Sequence, residues 1–251
     1  MRIAGAPISW GVCEVPGWGH QLAPERVLAE MRQLGIAATE FGPEGFLPDP
    51  GILAGYGLVA VGGFVPVVLH DPDVHVPAAL APALDGFTAS GAGVLVLAAD
   101  GGRPGYDERI DLDDKAWRTL TDNLDRIADL AGERGVLATL HPHVGTVVER
   151  RTDVLRVLDG SGIQLCLDTG HLLIGGTDPA WLAAQAPHRI GHVHLKDVDE
   201  GLAGRVRAGA LRYTDAVSAG MYRPLGRGDV DIAGIVRTLE AAGYRGWYVM
   251  E

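Results

Sequence analysis

The sequence has only two cysteines, Cys13 and Cys166, in 251 residues, which excludes a disulfide framework. Basic residues are also scarce: 21 Lys and Arg stand against 32 Asp and Glu, for a net charge of −11. A general nucleic-acid surface needs a basic stripe, so that class is disfavoured. No apolar run reaches membrane-spanning length. Gly5, Pro7 and Gly11 interrupt the only N-terminal stretch that could serve as a secretory h-region. A reduced, cytoplasmic protein without a signal peptide is expected. The first strand lacks a following GxGxxG, which argues against a doubly wound dinucleotide-binding sheet.

What is present is 47% hydrophobic content, enough to fill the core of one domain over residues 1–251. The apolar residues fall in short runs separated by helical patterns. Strands are predicted at Arg2 to Ile8, Ala37 to Phe41, Leu58 to Leu69 with a break near Gly62, and Val94 to Ala98. Others follow at Val136 to Leu140, Ile163 to Asp168, Ile190 to Lys196 and Trp247 to Met250. Pro24 opens a helix that Gly35 stops, and Trp117, Leu120, Leu124, Ile127 and Leu130 mark the longest helix. Asp178 with Pro179, and Asp231, are predicted helix starts. The segment from Asp197 to Asp231, rich in Gly and Arg, reads as neither strand nor helix. Eight βα units in this length suit a (β/α)8 TIM barrel.

Barrel active sites sit at the C-terminal ends of the strands. The polar residues predicted there are Trp10, Glu14, Glu40, His70, Asp100, His141, His143, Asp168, His171, His194, Lys196 and Glu251. Carboxylates and imidazoles meeting at one point make a mixed N/O site for a divalent metal. The stretch Leu167-Asp168-Thr169-Gly170-His171 is central, because no local cap or turn role accounts for its strand-end Asp. In Ile190-Gly191-His192-Val193-His194 the two histidines share a face, and only His194 is near the strand end. Glu40 reads equally as a site carboxylate or as half of a surface ion pair. Trp10 and Trp18 read equally as core or as a sugar-stacking wall. Cys166, among leucines, reads as a small core residue.

Those stretches carry a resemblance. Together with Ala4 to Val12, Thr39-Glu40-Phe41-Gly42-Pro43, His141-Pro142-His143-Val144-Gly145-Thr146, His194-Leu195-Lys196-Asp197, Gly226 to Asp231 and Gly246 to Glu251, they resemble the xylose-isomerase-like TIM barrels of sugar isomerases and epimerases. Within that superfamily they look like the inosose dehydratase group. The resemblance implies a divalent metal held at Asp168, His194 and Glu251. The usual strand-five Glu is replaced by His141, so the fourth ligand is His141 or, folding back from the loop, Glu149. It implies Mn2+ or Co2+ first, with Zn2+, Fe2+ or Mg2+ as alternatives. The implied activity is a lyase dehydrating an inosose-like keto-polyol. His143, Glu149 or His171 would be the base, and Lys196 or a histidine the acid. Trp10, Glu14, Glu40, His70 and Arg223 would contact substrate. The alternatives are a keto-sugar isomerase or epimerase on the same metal, and a barrel that binds sugar or metal without turnover. A small molecule is the expected partner, with no nucleic acid and no membrane, and with homodimeric or homotetrameric assembly compatible. Relatives continue beyond the strand-eight Glu, whereas this chain stops at Glu251. Either the sequence is truncated there or the barrel lacks its final helix.

Overall fold

A computed structural model describes residues 1–13, 15, 18–47, 49 and 51–251. The first strand, β1 (Arg2–Gly5), pairs in parallel with β2 (Ala38–Thr39) on one side and with β11 (Trp247–Met250) on the other. From β2 the sheet passes to β3 (Val59–Ala60), and in the other direction from β11 to β8 (Ile190–Leu195), β7 (Gln164–Asp168), β6 (Leu137–Leu140), β5 (Val94–Ala99) and β4 (Gly62–Val67). All of these pairings are parallel. The ring closes through Val61, the single residue between β3 and β4. Its N–H donates to the Thr39 carbonyl at 2.9 Å, and its own carbonyl accepts from Gly93 and Val94. The predicted third strand with its break is therefore one barrel strand in two pieces, and the fold is the expected TIM barrel.

Helices α1 (Pro24–Gln33), α2 (Ile52–Gly55), α3 (Val76–Ser90), α4 (Asp114–Gly132) and α5 (Arg151–Gly160) occupy the connections of the first half. In the second half come α6 (Thr169–Ile174), α7 (Pro179–Gln185), α8 (Glu200–Arg207), α9 (Tyr213–Ser218) and α10 (Ile232–Ala241). The α4 stripe of Trp117, Leu120, Leu124 and Ile127 is buried against the sheet, as its 3.6-residue spacing requires. Asp178 and Asp231 cap α7 and α10 by accepting from Ala180 and Gly234 N–H.

The segment 197–231 departs from expectation. It contains α8, α9 and a two-stranded antiparallel ribbon of β9 (Asp197–Val198) and β10 (Tyr222–Arg223). Asp197 organises it. This fully buried carboxylate accepts from the N–H groups of Gly226 and Gly228 on one oxygen, and from Val198 and Val230 on the other. The glycine-rich tract thus binds an internal carboxylate.

Two apolar layers result. Between strands and helices lies the large core containing Leu95, Leu97, Leu120, Leu140, Leu165 and Tyr248. Inside the barrel, the lower layers are filled by small residues such as Ala4, Ala38, Val96, Cys166 and Val249. Above them the interior turns polar, and there the candidate site lies.

Candidate active site

Adjacent strand ends deliver the central residues. The β7–β8 register sets Asp168 beside His194, and Glu251 N–H donates to the Leu195 carbonyl at the end of β11. Asp168, fully buried, divides its two oxygens between two tasks. Oδ1 accepts from Gly170 and His171 N–H at 2.8 and 2.7 Å, so Asp168 is the N-cap of α6. The sequence reading that no cap explains this Asp is therefore corrected. Oδ2 makes no hydrogen bond among the described residues. It faces His141 Nε2 at 3.3 Å, Lys196 Nζ at 3.4 Å and His194 Nδ1 at 3.7 Å. Glu251 completes the group, with Oε2 3.3 Å from His194 Nδ1 and 2.8 Å from Lys196 Nζ.

The hydrogen bonds fix which ring nitrogens carry lone pairs. His141 Nδ1 lies 3.0 Å from the Pro142 carbonyl, an acceptor only, so it donates, and in the neutral ring Nε2 carries the lone pair that faces Asp168. His143 Nδ1 likewise donates to the Val144 carbonyl at 2.8 Å, leaving its Nε2 as the acceptor. His171 has the opposite arrangement: Nδ1 accepts from Val144 N–H, and Nε2 lies 3.5 Å from the Tyr222 hydroxyl. The His143 and His171 rings stack at 3.7 Å.

Burial and neighbours set the charges. Burial, with help from His141 and Lys196, pushes the His143 pKa down to about 3. Burial together with His143 and Lys196 also takes His171 well below its ordinary value, so the stacked pair is neutral near pH 7. Burial works against ionised Asp168 and Glu251. Lys196 at Asp168, and His194 with Lys196 at Glu251, still hold both carboxyls down, Glu251 at about 2. Lys196 is raised by the same pairing with Asp168 and Glu251, against the burial that disfavours its charge. His194 is raised too: burial opposes the charge, while Cys166, Glu251 and Glu40 favour it.

Thr169 locks the β7 and β8 ends together, its hydroxyl donating to the Lys196 carbonyl and accepting from the Lys196 N–H. Gly170 sits close beside it: a Cβ there would lie 3.0 Å from the Lys196 Cβ and Cγ, so the lysine stem would have to shift.

Several expected substrate residues lie elsewhere. Glu40 is buried beneath the cluster, where its Oε1 accepts from His192 Nε2 at 2.8 Å and His194 Nε2 at 3.0 Å. Trp10 donates Nε1–H to Glu30 and packs among the α1 side chains, a core role. Arg223 is exposed and paired with Asp199. His70 sits half-buried just beyond β4, with Asp71 and Asp100 as its charged neighbours. Glu149 accepts from Gly145 N–H at 2.8 Å and joins none of the ligand groups among the described residues. Burial raises its pKa. Glu14 lies outside the described residues.

The sequence reading missed an aromatic wall. Tyr106 lies against His143 and Tyr213, Trp18 against Tyr213, and Tyr213 donates to or accepts from Tyr222 at 2.9 Å. Trp18 thus belongs to the wall that Trp10 does not reach. Phe64 packs against both His141 and His143. Phe64, Tyr106, Asp100, Arg103 and Thr146 line a cavity of about 300 Å3 beside this cluster.

The donor set suits a divalent cation. Asp168 Oδ2, the His141 Nε2 lone pair, His194 Nδ1 and Glu251 Oε2 converge, and two of these atoms, Asp168 Oδ2 and His194 Nδ1, are buried without hydrogen bonds. Two lone pairs facing at 3.3 Å call for a proton or a metal ion between them.

Comparison with known proteins agrees with this architecture. A family model described as xylose isomerase-like TIM barrel matches residues 78–251. The rhizopine catabolism protein MocC of Rhizobium meliloti is 35% identical over 263 residues, covering all of this chain and 81% of the relative. An inosose dehydratase of Geobacillus kaustophilus is 34% identical over 273 residues, covering all of this chain and 87% of the relative. Among solved structures, an IOLI protein with a bound zinc atom superposes with a TM-score of 0.72 at 15% identity, covering all of this chain and 88% of that one. No helix among the described residues is long and apolar enough to cross a membrane. The chain belongs to the xylose isomerase-like TIM barrel family.

Proposed function

We propose that this protein is a metal-dependent dehydratase of carbohydrate metabolism that removes water from an inosose-like keto-polyol. One observation carries the reading: a convergent metal-type donor set lies directly beside a neutral, stacked histidine pair. The 34% identity to an inosose dehydratase supports the substrate class. Asp168, His194, Glu251 and His141 would hold the cation. A divalent cation there supplies Lewis acidity that polarises the ketone and acidifies the neighbouring C–H.

The chain's own residues supply the proton handling. His143 is the base: its Nδ1 is engaged by Val144, its Nε2 lone pair is available, and burial keeps it unprotonated while making it a weak base that depends on an acidified C–H. It accepts the α-proton. The imidazolium so formed returns that proton to the departing β-hydroxyl, which leaves as water. His171, stacked on His143 and tied to Val144, keeps that ring in place. Lys196, held charged by Asp168 and Glu251, offers positive charge to the departing oxygen. Its raised pKa makes it a poor donor, so its role is electrostatic. Tyr106 and Phe64 shield this space from water. Keto-inositols incubated with the Mn2+- or Co2+-loaded protein should yield a conjugated dehydration product, and His143→Gln should abolish it. Unchanged product formation by His143→Gln would remove His143 from the role of base.

A further inference from the structure

A buried carboxylate outside the four converging donors lies under the site. Glu40 has 3% of its surface exposed, and the partners its carboxylate shows are two imidazoles. A carboxylate so placed is costly unless strong donors compensate it. His192 and His194 do so with one oxygen, Oε1, which accepts from both Nε2 atoms. An acceptor can be served only by N–H, so both rings carry a proton on Nε2. For His194 this leaves Nδ1 as the nitrogen facing Asp168 and Glu251. The same carboxylate could be read as part of a deeper cation site with His192 and His194. Separations of 2.8 and 3.0 Å fit N–H···O hydrogen bonds and leave those groups already satisfied.

We propose that Glu40 is a positioning residue. It fixes the His194 ring and tautomer so that Nδ1 is presented to the cation, and His192 in turn holds Glu40 in place. The inference rests on the metal-site reading above. Carboxylate–histidine–metal arrangements typically change metal affinity by about ten- to a hundred-fold when the outer carboxylate is altered.

Metal-free wild-type, Asp168→Asn and Glu40→Gln proteins should be titrated with Mn2+, following free Mn2+ by electron paramagnetic resonance. In parallel, the Zn2+-loaded wild-type protein with 15N-labelled histidine should be examined by long-range 1H–15N correlation. The proposal expects one equivalent of Mn2+ in the wild type and a Kd raised about ten-fold or more in Glu40→Gln. It also expects melting temperatures of the metal-free wild-type and Glu40→Gln proteins to be close, and His194 to be metallated at Nδ1 and protonated at Nε2. A wild type that binds no Mn2+, or an Asp168→Asn protein that binds as tightly, sinks the metal reading itself. If Asp168→Asn weakens binding while Glu40→Gln does not, only the positioning role is lost. Metallation of His194 at Nε2, or a second equivalent that Glu40→Gln alone removes, overturns it in favour of a deeper site. Should Glu40→Gln fail to fold, the wild-type correlation spectrum decides by itself.

Discussion

Asp168 Oδ2 and His141 Nε2 face each other across 3.3 Å at the centre of the barrel mouth, and the opposite oxygen of the same Asp caps the following helix. The site and the fold therefore share one side chain. Glu251 approaches His194 and Lys196 from the end of the last strand.

The divided role of Asp168 makes its two isosteric losses separable. Asp168→Asn keeps an oxygen acceptor for the cap but removes the charge that faces Lys196, so the metal-free protein should lose some stability, while metal binding weakens by at least about ten-fold. Asp168→Ala removes the cap as well and should cost about 1 kcal/mol more in urea unfolding of the metal-free protein. Equal metal affinity in Asp168→Asn and wild type would contradict the assignment of Oδ2.

Lys196→Met should separate the two halves of the reaction. In the proposed mechanism the residue balances charge near the departing oxygen, not the α-carbon, so dehydration should slow by about a hundred-fold or more while α-proton exchange in D2O partly survives. NMR of recovered substrate checks this. Exchange and dehydration falling together would place Lys196 on the first step instead.

Gly170→Ala tests how closely the Lys196 stem is held. The added methyl would lie 3.0 Å from Lys196 Cβ and Cγ and displace an ammonium that Asp168 and Glu251 fix. Turnover should fall about ten- to a hundred-fold with a much smaller effect on melting temperature. Turnover at the wild-type level would show that the stem has room to move.

Stability should fall on mild acidification. Folded His143 and His171 lie below the ordinary value of 6.5. As pH drops through 6.5 the unfolded chain takes up protons that these folded side chains refuse, and the loss continues toward about 3 for His143. His194 has the opposite sign, since its raised pKa stabilises the fold below 6.5 and is lost as pH rises through its folded value. The depressed carboxyls of Asp168 and Glu251 add their own loss only below the ordinary carboxylate range, as pH falls toward about 2 for Glu251. Between pH 6.5 and 5 His194 is increasingly protonated in both states and ceases to oppose the loss, so each of the two lowered histidines contributes a decline approaching about 1.4 kcal/mol per pH unit in urea unfolding. His143→Gln should flatten that decline. An unchanged slope in the variant would show that His143 is protonated in the folded state.

Much of the fold was legible because strand and helix signals here are local. Trp247 to Met250 is the last strand as read, and the Asp178-Pro179 start of α7 follows directly from cap chemistry. The cluster at Asp168, His194 and Glu251 was legible because parallel strands bring their C-terminal ends together. Three features were hidden for different reasons. The destination of Glu40 depends on partners 152 and 154 residues away, which no spacing reveals. The short helices α8 and α9 carry too few turns to show a clear period, and the glycines after them make sense only once Asp197 is seen inside their loop. The wall of Tyr106, Tyr213 and Tyr222 gathers side chains from separate connections. The cap role of Asp168 was readable in principle: Asp followed by Thr-Gly-His at a strand end is an N-cap signature as well as a ligand signature.

The most direct measurement of the central claim is a single incubation of the metal-replete protein with a keto-inositol in D2O, followed by NMR and ultraviolet absorbance. Elimination through one neutral base predicts deuterium at the α-carbon of recovered substrate, together with steady release of an unsaturated or diketone product that requires added Mn2+ or Co2+. Efficient interconversion of ketose C3 epimers with no dehydrated product from any keto-polyol would contradict the account and assign the site to epimerisation.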